Sequence, residues 1–309
     1  MEIHQLQVLR ELGAWGSVAA VAEELGVSPS AVSQQLAALQ RGFKTPLTRK
    51  QGRRLALTNA GQVLADAGAN VIEAVAAARS AVEEYEQSPG GIVTMSSFVS
   101  IGQVVFAPLI NELNRAENSP ELHFADEDVA QDDFPLLTAR YDLVLAHRLE
   151  HRPPWPEAGI RSILLAKEPL DIALPAGHRL ASRHELTPKD VAGERWVTSR
   201  GGYSPHDVVG VISAMANQNV NVVHRINDYG GVSALVATGD VIGILPRYTS
   251  GHADDAGIVL RPLAGLSASR HIDILARPEN LRRHSVQHVI KSLRRVMAGL
   301  MRDSTLNGK

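Results

Sequence analysis

The chain has 309 residues and a formal charge of −2 at pH 7, a length that allows two or three domains with cores of their own. It contains no cysteine, which excludes disulfide frameworks, thiolate metal sites and cysteine nucleophiles. The charge is unevenly spread: residues 1–58 carry a net +3, which leaves the remainder mildly acidic. A basic head on an acidic body suits a nucleic-acid reader joined to something else. Met1-Glu2-Ile3-His4-Gln5 has neither the basic nor the apolar region of a secretory leader, and no run approaches about 18 apolar residues. A cytoplasmic protein without a membrane segment is expected.

Ser17 to Leu36 reads as two short helices around a tight turn at Gly26-Val27-Ser28. Ser17 and Ser28 can cap them by accepting from first-turn N–H groups, and Pro29 fits the first helical position, where its missing N–H costs nothing. Ala19, Ala22, Leu25, Val27, Val32, Leu36 and Leu39 supply apolar faces at helical spacing. The outward face of the second helix, Ser30, Ser33, Gln34 and Gln35, is short, polar and uncharged, suited to base edges in a major groove. A capped helical hairpin also occurs in purely structural domains, but here six cations and no acid follow between Arg41 and Arg54. Pro46 to Thr58 reads as a small hairpin turning at Gly52. Beside a recognition helix, such a basic hairpin is a wing that tracks phosphates or enters the minor groove. The candidate DNA contacts are therefore Ser28, Pro29, Ser30, Ser33, Gln34 and Gln35, with Arg49, Lys50, Arg53 and Arg54 on the wing.

Thr58-Asn59-Ala60-Gly61-Gln62 offers a helix start with Asn59 as cap, and no proline interrupts before Gln87. Leu64, Gly68, Val71, Val75, Ala78, Val82 and Tyr85 recur with a mean period near 3.5, the period of a pairing seam. The small Gly68 and Ala78 would let a second helix approach closely. A helix of this length, about 43 Å, is expected to dimerise, the alternative being a long surface helix packed on its own domain. Gln87-Ser88-Pro89-Gly90-Gly91 would end it and form a hinge.

Beyond residue 91 short apolar strands alternate with helices, the pattern of an α/β domain with a mainly parallel sheet. Strands are expected at 92–96, 121–125, 142–146, 163–165, 170–174, 196–198, 222–226, 241–246 and 271–275. Helices are expected at 101–113, 132–139, from the Ser204-Pro205 cap onward and at 285–301, and Val232 to Gly239 leads into the strand at 241–246.

Along nearly its whole length the chain resembles LysR-type transcriptional regulators. The resemblance is carried by Ser17 to Ala22, Val27 to Leu36, Pro46-Leu47, Gly52 to Leu55 and Leu57 to Gly61, and downstream by Leu235 to Gly239 and Gly243 to Pro246. One departure is Thr48, where the family usually has an aromatic residue in the wing strand. The resemblance implies a winged helix-turn-helix (1–58), a dimerisation linker helix (59–87) and an α/β effector-binding domain (91–303) resembling periplasmic binding proteins. The latter would comprise subdomain I (91–163 and 269–303) and subdomain II (164–268), with two crossing strands as hinge. It further implies homodimers or homotetramers on double-stranded DNA, with a small effector bound between the subdomains.

In an open α/β sheet, ligands lie beyond the carboxyl ends of the strands, where helix N-termini favour anions. That rule selects Ser96, Ser97 and Ser100 after the first strand, His147 after the third, and Thr198, Arg200 and Tyr203 before the Ser204-Pro205 helix. Arg200 could grip a carboxylate bidentately; the serines could equally serve only as caps, and Arg200 could be a solvated loop residue. No enzyme motif competes: there is no phosphate-binding loop, dinucleotide fingerprint or nucleophile elbow. His284 and His288 have metal-ligand spacing but sit among Arg282, Arg283, Lys291, Arg294 and Arg295, which disfavours a cation. No metal, no cofactor and no catalytic residue is expected, and a purely solute-binding protein is disfavoured by the basic head.

Overall fold

The head is organised around a helix that sequence patterning leaves unassigned. In the structure, a computed structural model that describes residues 1–52, 54–85, 91–115, 118–127, 129–156, 159–250 and 257–307, α1 (Ile3–Trp15) buries Leu6, Leu9 and Leu12 at three-residue spacing. They close a core with Val21 and Ala22 of α2 (Val18–Glu24) and Val32, Leu36 and Leu39 of α3 (Pro29–Gln40). Burial of each such side chain contributes roughly 1.5–3 kcal/mol. Ser17 and Ser28 cap α2 and α3 as expected, accepting from Ala20 and Ala31 N–H groups at 3.0 and 3.2 Å. Ala19, Leu25 and Val27 are exposed instead of buried, because α2 turns Val21 and Ala22 inward and the turn carries Leu25 and Val27 to the surface. The hairpin of β1 (Thr48–Gln51) and β2 (Arg54–Leu57) follows, with Gly52 at φ +62°, a left-handed conformation that favours glycine.

The linker is α4 (Asn59–Tyr85). Its cap is Thr58, not Asn59: the Thr58 hydroxyl accepts from Gly61 N–H at 3.0 Å and donates to the Pro46 carbonyl at 2.6 Å. Gly61 is held so close to the wing that a Cβ there would lie 2.0 Å from the Leu47 carbonyl oxygen. Ala65, Gly68 and Ile72 are buried. A Cβ at Gly68 would meet Leu6 at 3.1 Å, so this glycine permits close approach of α1, not of a second α4. The opposite face, with Val63, Val71, Ala78 and Val82, is exposed. Gln87 to Gly90, the core of the expected hinge, lie outside the described residues.

The body begins with β3 (Ile92–Ser97), α5 (Val99–Leu113), β4 (Glu121–Asp126), the short α6 (Phe134–Leu137) and β5 (Leu143–Leu149). The segments expected as two strands at 163–165 and 170–174 are one, β6 (Arg161–Pro175); its charged Lys167-Glu168 and its Pro169 conceal the continuity. Then come α7 (Pro188–Val191), β7 (Arg195–Thr198), α8 (Ser204–Ala216), β8 (Asn221–Arg225) and α9 (Tyr229–Ala237). The chain continues through β9 (Gly243–Pro246), β10 (Ile258–Arg261), β11 (Ser269–Ala276), α10 (Pro278–Arg282) and α11 (His284–Asn307).

Sheet order runs β4-β3-β5-β11-β6, and the far half of β6 pairs with β9 and β10. Trp196 bridges Ile242, bringing β7 and β8 alongside. The sheet is mixed rather than mainly parallel: β3 is parallel to β4 and β5, and β7 to β8, but every ladder involving β6 or β11 is antiparallel. These two strands pass between the halves of the body in opposite directions. One half packs around Phe134, Leu145, Ile274 and Leu293, the other around Ile172, Trp196, Ile212 and Ile244.

Candidate DNA-reading face and effector cleft

Of the candidate contacts, the cap Ser28 and, on α3, Pro29, Ser30, Ser33 and Gln34 are exposed. Ser28 is occupied as a cap and lies 2.8 Å from the Ser30 hydroxyl; Ser33 donates to the Pro29 carbonyl at 2.9 Å. Gln35 differs. It is half-buried and its Oε1 is 2.8 Å from His4 Nε2 on α1, so it anchors α3 to the head. Arg49, Lys50 and Arg54 are exposed on the wing, and no carboxylate of the described residues pairs with them. Arg53 lies outside the described residues.

A cleft opens between the two halves of the body, above the crossing strands. Three helices begin on it: α5 at Phe98 to Ser100, α8 at Tyr203 to Pro205, and α9 at Asn227 to Tyr229. The N-cap residues of α5 and α8, Phe98 and Tyr203, make no capping bond, whereas the Asp228 carboxylate accepts from Gly231 N–H on α9 at 2.6 Å. The expected Ser204 cap is thus replaced: Ser204 is the first helical residue, and the Ser199 hydroxyl accepts from His206 N–H at 3.0 Å. Partial positive charge at the starts of α5 and α8 favours an anionic or strongly polar guest, while at α9 the Asp228 carboxylate offsets it. The interior holds only ≈ 40 Å³, far below the several hundred Å³ of a typical ligand pocket, so an organic guest requires the two halves to part.

Of the residues selected from sequence, Ser100, His147 and Tyr203 line this cleft. Ser96, Ser97 and Thr198 do not; they are buried at the strand ends with hydroxyls lacking a partner among the described residues. Arg200 does not line it either: it is exposed, and its backbone N–H donates to Asn227 Oδ1 on the cleft rim at 3.0 Å. His147 packs edge-on against Phe98 and Phe134 with ring centroids 4.7 and 5.3 Å away. Burial, reinforced by the nearby Arg270 charge, holds its pKa well below 6.5, so its ring is neutral.

Sequence reasoning missed the cleft residues Gln103, Asn227, Asp228 and Tyr229 and, above all, Arg270, which is 1 % exposed. Its guanidinium lies 4.9 Å from the Phe98 ring centroid and 5.8 Å from that of Tyr229. It donates to Glu168 at 2.9 Å, to Thr249 at 2.7 Å and to Ser100 at 3.2 Å. The sequence offers little signal for it: β6 and β11 carry other charged residues besides Glu168 and Arg270, such as Lys167, Asp171 and Asp273.

Two family models cover this architecture. Residues 3–62 match the bacterial regulatory helix-turn-helix protein, lysR family, and residues 86–298 match the LysR substrate binding domain. The chain belongs to the LysR family. It is a DNA-binding transcriptional regulator with a helix-turn-helix head and an effector-binding body. Among LysR-family relatives, it is 25 % identical over 251 residues to the uncharacterized regulator YybE of Bacillus subtilis, covering 80 % of this chain and 82 % of that one. It is also 25 % identical over 263 residues to the regulator DmlR of Escherichia coli, covering 80 % and 84 %. Full-length OxyR of Pseudomonas aeruginosa superposes with a TM-score of 0.66 at 17 % identity over 95 % of both chains. CbnR complexed with its target DNA superposes with a TM-score of 0.50 at 18 % identity over 96 % of this chain and 99 % of that one. These low identities show a shared fold. Among the described residues, no helix is long and apolar enough to cross a membrane, and no group of three or more His, Asp or Glu side chains is placed to hold a metal.

Proposed function

We propose that this LysR-family regulator, acting in the cytoplasm as a regulator and not as an enzyme, reads DNA through Ser30, Ser33 and Gln34 and clamps phosphates with Arg49, Lys50, Arg53 and Arg54. The effector enters the cleft between residues 91–163 plus 269–303 on one side and 164–268 on the other. Ser100, His147, Tyr203 and Arg270 meet it there. The observation that carries this reading is the convergence of three helix N-termini and a buried guanidinium on one crevice between two separately packed halves. The guest is small and polar, with an anion favoured. Because Arg270 is already neutralised by Glu168, the attraction for a carboxylate comes chiefly from the starts of α5 and α8. The DNA-reading head (1–58) is paired with a second copy through the linker (59–87), where the exposed apolar residues Val63, Val71 and Val82 of α4 form a face that the described residues leave open. The DNA complex of the structurally similar CbnR supports the same use of the head.

A thermal-shift screen of small metabolic acids tests the cleft, since a ligand of the folded state raises its melting temperature by mass action. An acid that stabilises the wild type by several degrees and Ser100→Trp by none supports the assignment. Equal stabilisation of both places the effector elsewhere.

A further inference from the structure

The body touches its own head and linker through a set of ion pairs, with the Glu11 and Glu24 carboxylates buried. Glu11 of α1 is 1 % exposed and takes both Nη atoms of Arg277 at 2.5 and 2.7 Å. Arg10 donates to Glu279 at 2.7 Å. Arg282 donates to Glu73 of α4 at 2.9 Å, and the Ser80 hydroxyl donates to the Arg282 carbonyl. A second contact joins Glu24 of α2 to Arg140 at 2.8 Å, with the same guanidinium lying over Trp15. Bidentate charge-assisted bonds of this kind fix orientation as well as proximity. The contact is also incompletely satisfied: Trp15 Nε1, Glu24 Oε1 and Glu279 Oε2 are buried without a partner among the described residues. Polar and underbonded, with a cavity of ≈ 570 Å³ beside Arg10, Glu73 and Arg277, it is a surface able to let go.

Arg277 directly follows β11, the strand that carries Arg270 into the cleft. The two arginines are seven residues apart, about 23 Å along a strand. Between them Ile272, Ile274, Leu275 and Ala276 are fully buried, and β11 is held on both sides by β5 and β6. Close-packed cores move as pieces rather than absorbing a displacement. We propose that β11 is the transmission element of this regulator: the state of the Glu168–Arg270 pair in the cleft sets the strength of the Glu11–Arg277 dock and so the angle between body and head. The proposal rests on the cleft being the regulatory site. The α1–α4 packing around Gly68 makes head and linker one unit, so release of the dock turns the body relative to that unit while leaving the DNA-reading face intact.

The absence of cysteine makes site-specific spin labelling simple. Labels on Glu23→Cys in the head and Lys291→Cys in the body of the full chain, diluted with unlabelled protein, report the head–body distance. The wild type is expected to give one narrow distribution, and Glu11→Gln and Arg277→Gln a broad or displaced one. Thr249→Val, which removes one bond each to Arg270 and Glu168, and Glu168→Gln shift the docked-to-released ratio by about fivefold or more. Added to Glu11→Gln, they change nothing further, the non-additivity expected of one coupled unit. Arg277→Lys restores docking in part. A distribution unchanged by Thr249→Val and Glu168→Gln in folded protein overturns the proposal, as does full additivity with Glu11→Gln. If Glu168→Gln fails to fold, Thr249→Val decides alone. Failure of the cleft reading shows up separately, as an acid that stabilises wild type and Ser100→Trp alike.

Discussion

Glu168 and Arg270 are register partners on the two strands that cross between the halves of the body, and neither side chain is more than 1 % exposed. One Glu168 oxygen accepts from Arg270, while the other accepts from the backbone N–H groups of Tyr248 and Thr249, both at 2.7 Å. Removing one member of such a pair strands the other charge in a dry interior. Arg270→Met or Glu168→Leu alone is therefore expected to cost about 3–5 kcal/mol, read from urea unfolding. The double variant should cost less than the sum of the two. It should not be neutral, because two N–H groups lose their acceptor at roughly 1–3 kcal/mol each.

Wing and recognition helix should separate in their dependence on salt and sequence. Lys50→Ala and Arg54→Ala each remove an exposed, unpaired cation of the described residues. Each is expected to weaken binding across all sequences and to reduce the slope of log affinity against log salt by about 0.9. Gln34→Ala should leave that slope unchanged and relax preference at one or two base pairs, worth about 1–3 kcal/mol. Gln35→Ala should act instead on head stability through its lost bond to His4. Gel shifts on an operator and its point variants, at several salt concentrations, distinguish these outcomes.

What was legible in the sequence was local. Ser17, Ser28 and Pro29 announce helix starts through their own chemistry, and Gly52 announces a turn, so the head and wing could be read directly. α1 escaped because it opens on Glu2 and Gln5, with Gln5 Oε1 accepting from Glu2 N–H at 2.9 Å, and no serine or proline marks it. The strand-end rule found Ser100, His147 and Tyr203 but also gathered Ser96, Ser97 and Thr198, because it cannot tell the last buried residue of a strand from the first residue in the crevice. Arg200 has the right charge in the right loop, yet the cation that reaches the cleft is Arg270. Its partner lies 102 residues away, and nothing local marks a pairing at that distance.

The two glycine-rich and valine-rich faces of α4 make opposite predictions. Gly68→Ala would press a methyl group against Leu6 at about 3.1 Å, so it should destabilise the head–linker unit by about 1–3 kcal/mol without altering self-association. Val71→Asp places a charge on the exposed face, where Val71 is 43 % accessible, and touches no core. It should leave the melting temperature of the fold nearly unchanged while weakening dimerisation at least tenfold, about 1.4 kcal/mol. Sedimentation of both variants across a concentration series checks the contrast. A Gly68→Ala protein that falls apart into monomers would assign this glycine to the partner helix instead of α1.

His147 sets a pH dependence whose sign follows from its burial. Its folded pKa lies well below 6.5, pushed down first by desolvation and then by the Arg270 charge. In the unfolded chain it titrates near the ordinary value, about 6.5. Above that pH the ring is neutral in both states and stability is independent of it. Below it the unfolded chain binds a proton that the folded protein does not, so stability falls with decreasing pH, with a limiting slope of about 1.4 kcal/mol per unit. The loss continues until the folded pKa is reached. His147→Gln fills a similar volume without titrating, so its stability should lack this contribution between pH 6.5 and 5, although other groups still contribute. The measurement is a pair of urea-unfolding series over that range, wild type against His147→Gln. Their difference should be constant above pH 7 and should change progressively in favour of the variant as the buffer becomes more acid. A constant difference throughout would mean that His147 is protonated in the folded protein at the same pH as in the unfolded chain, and that the cleft is wet enough to solvate its charge.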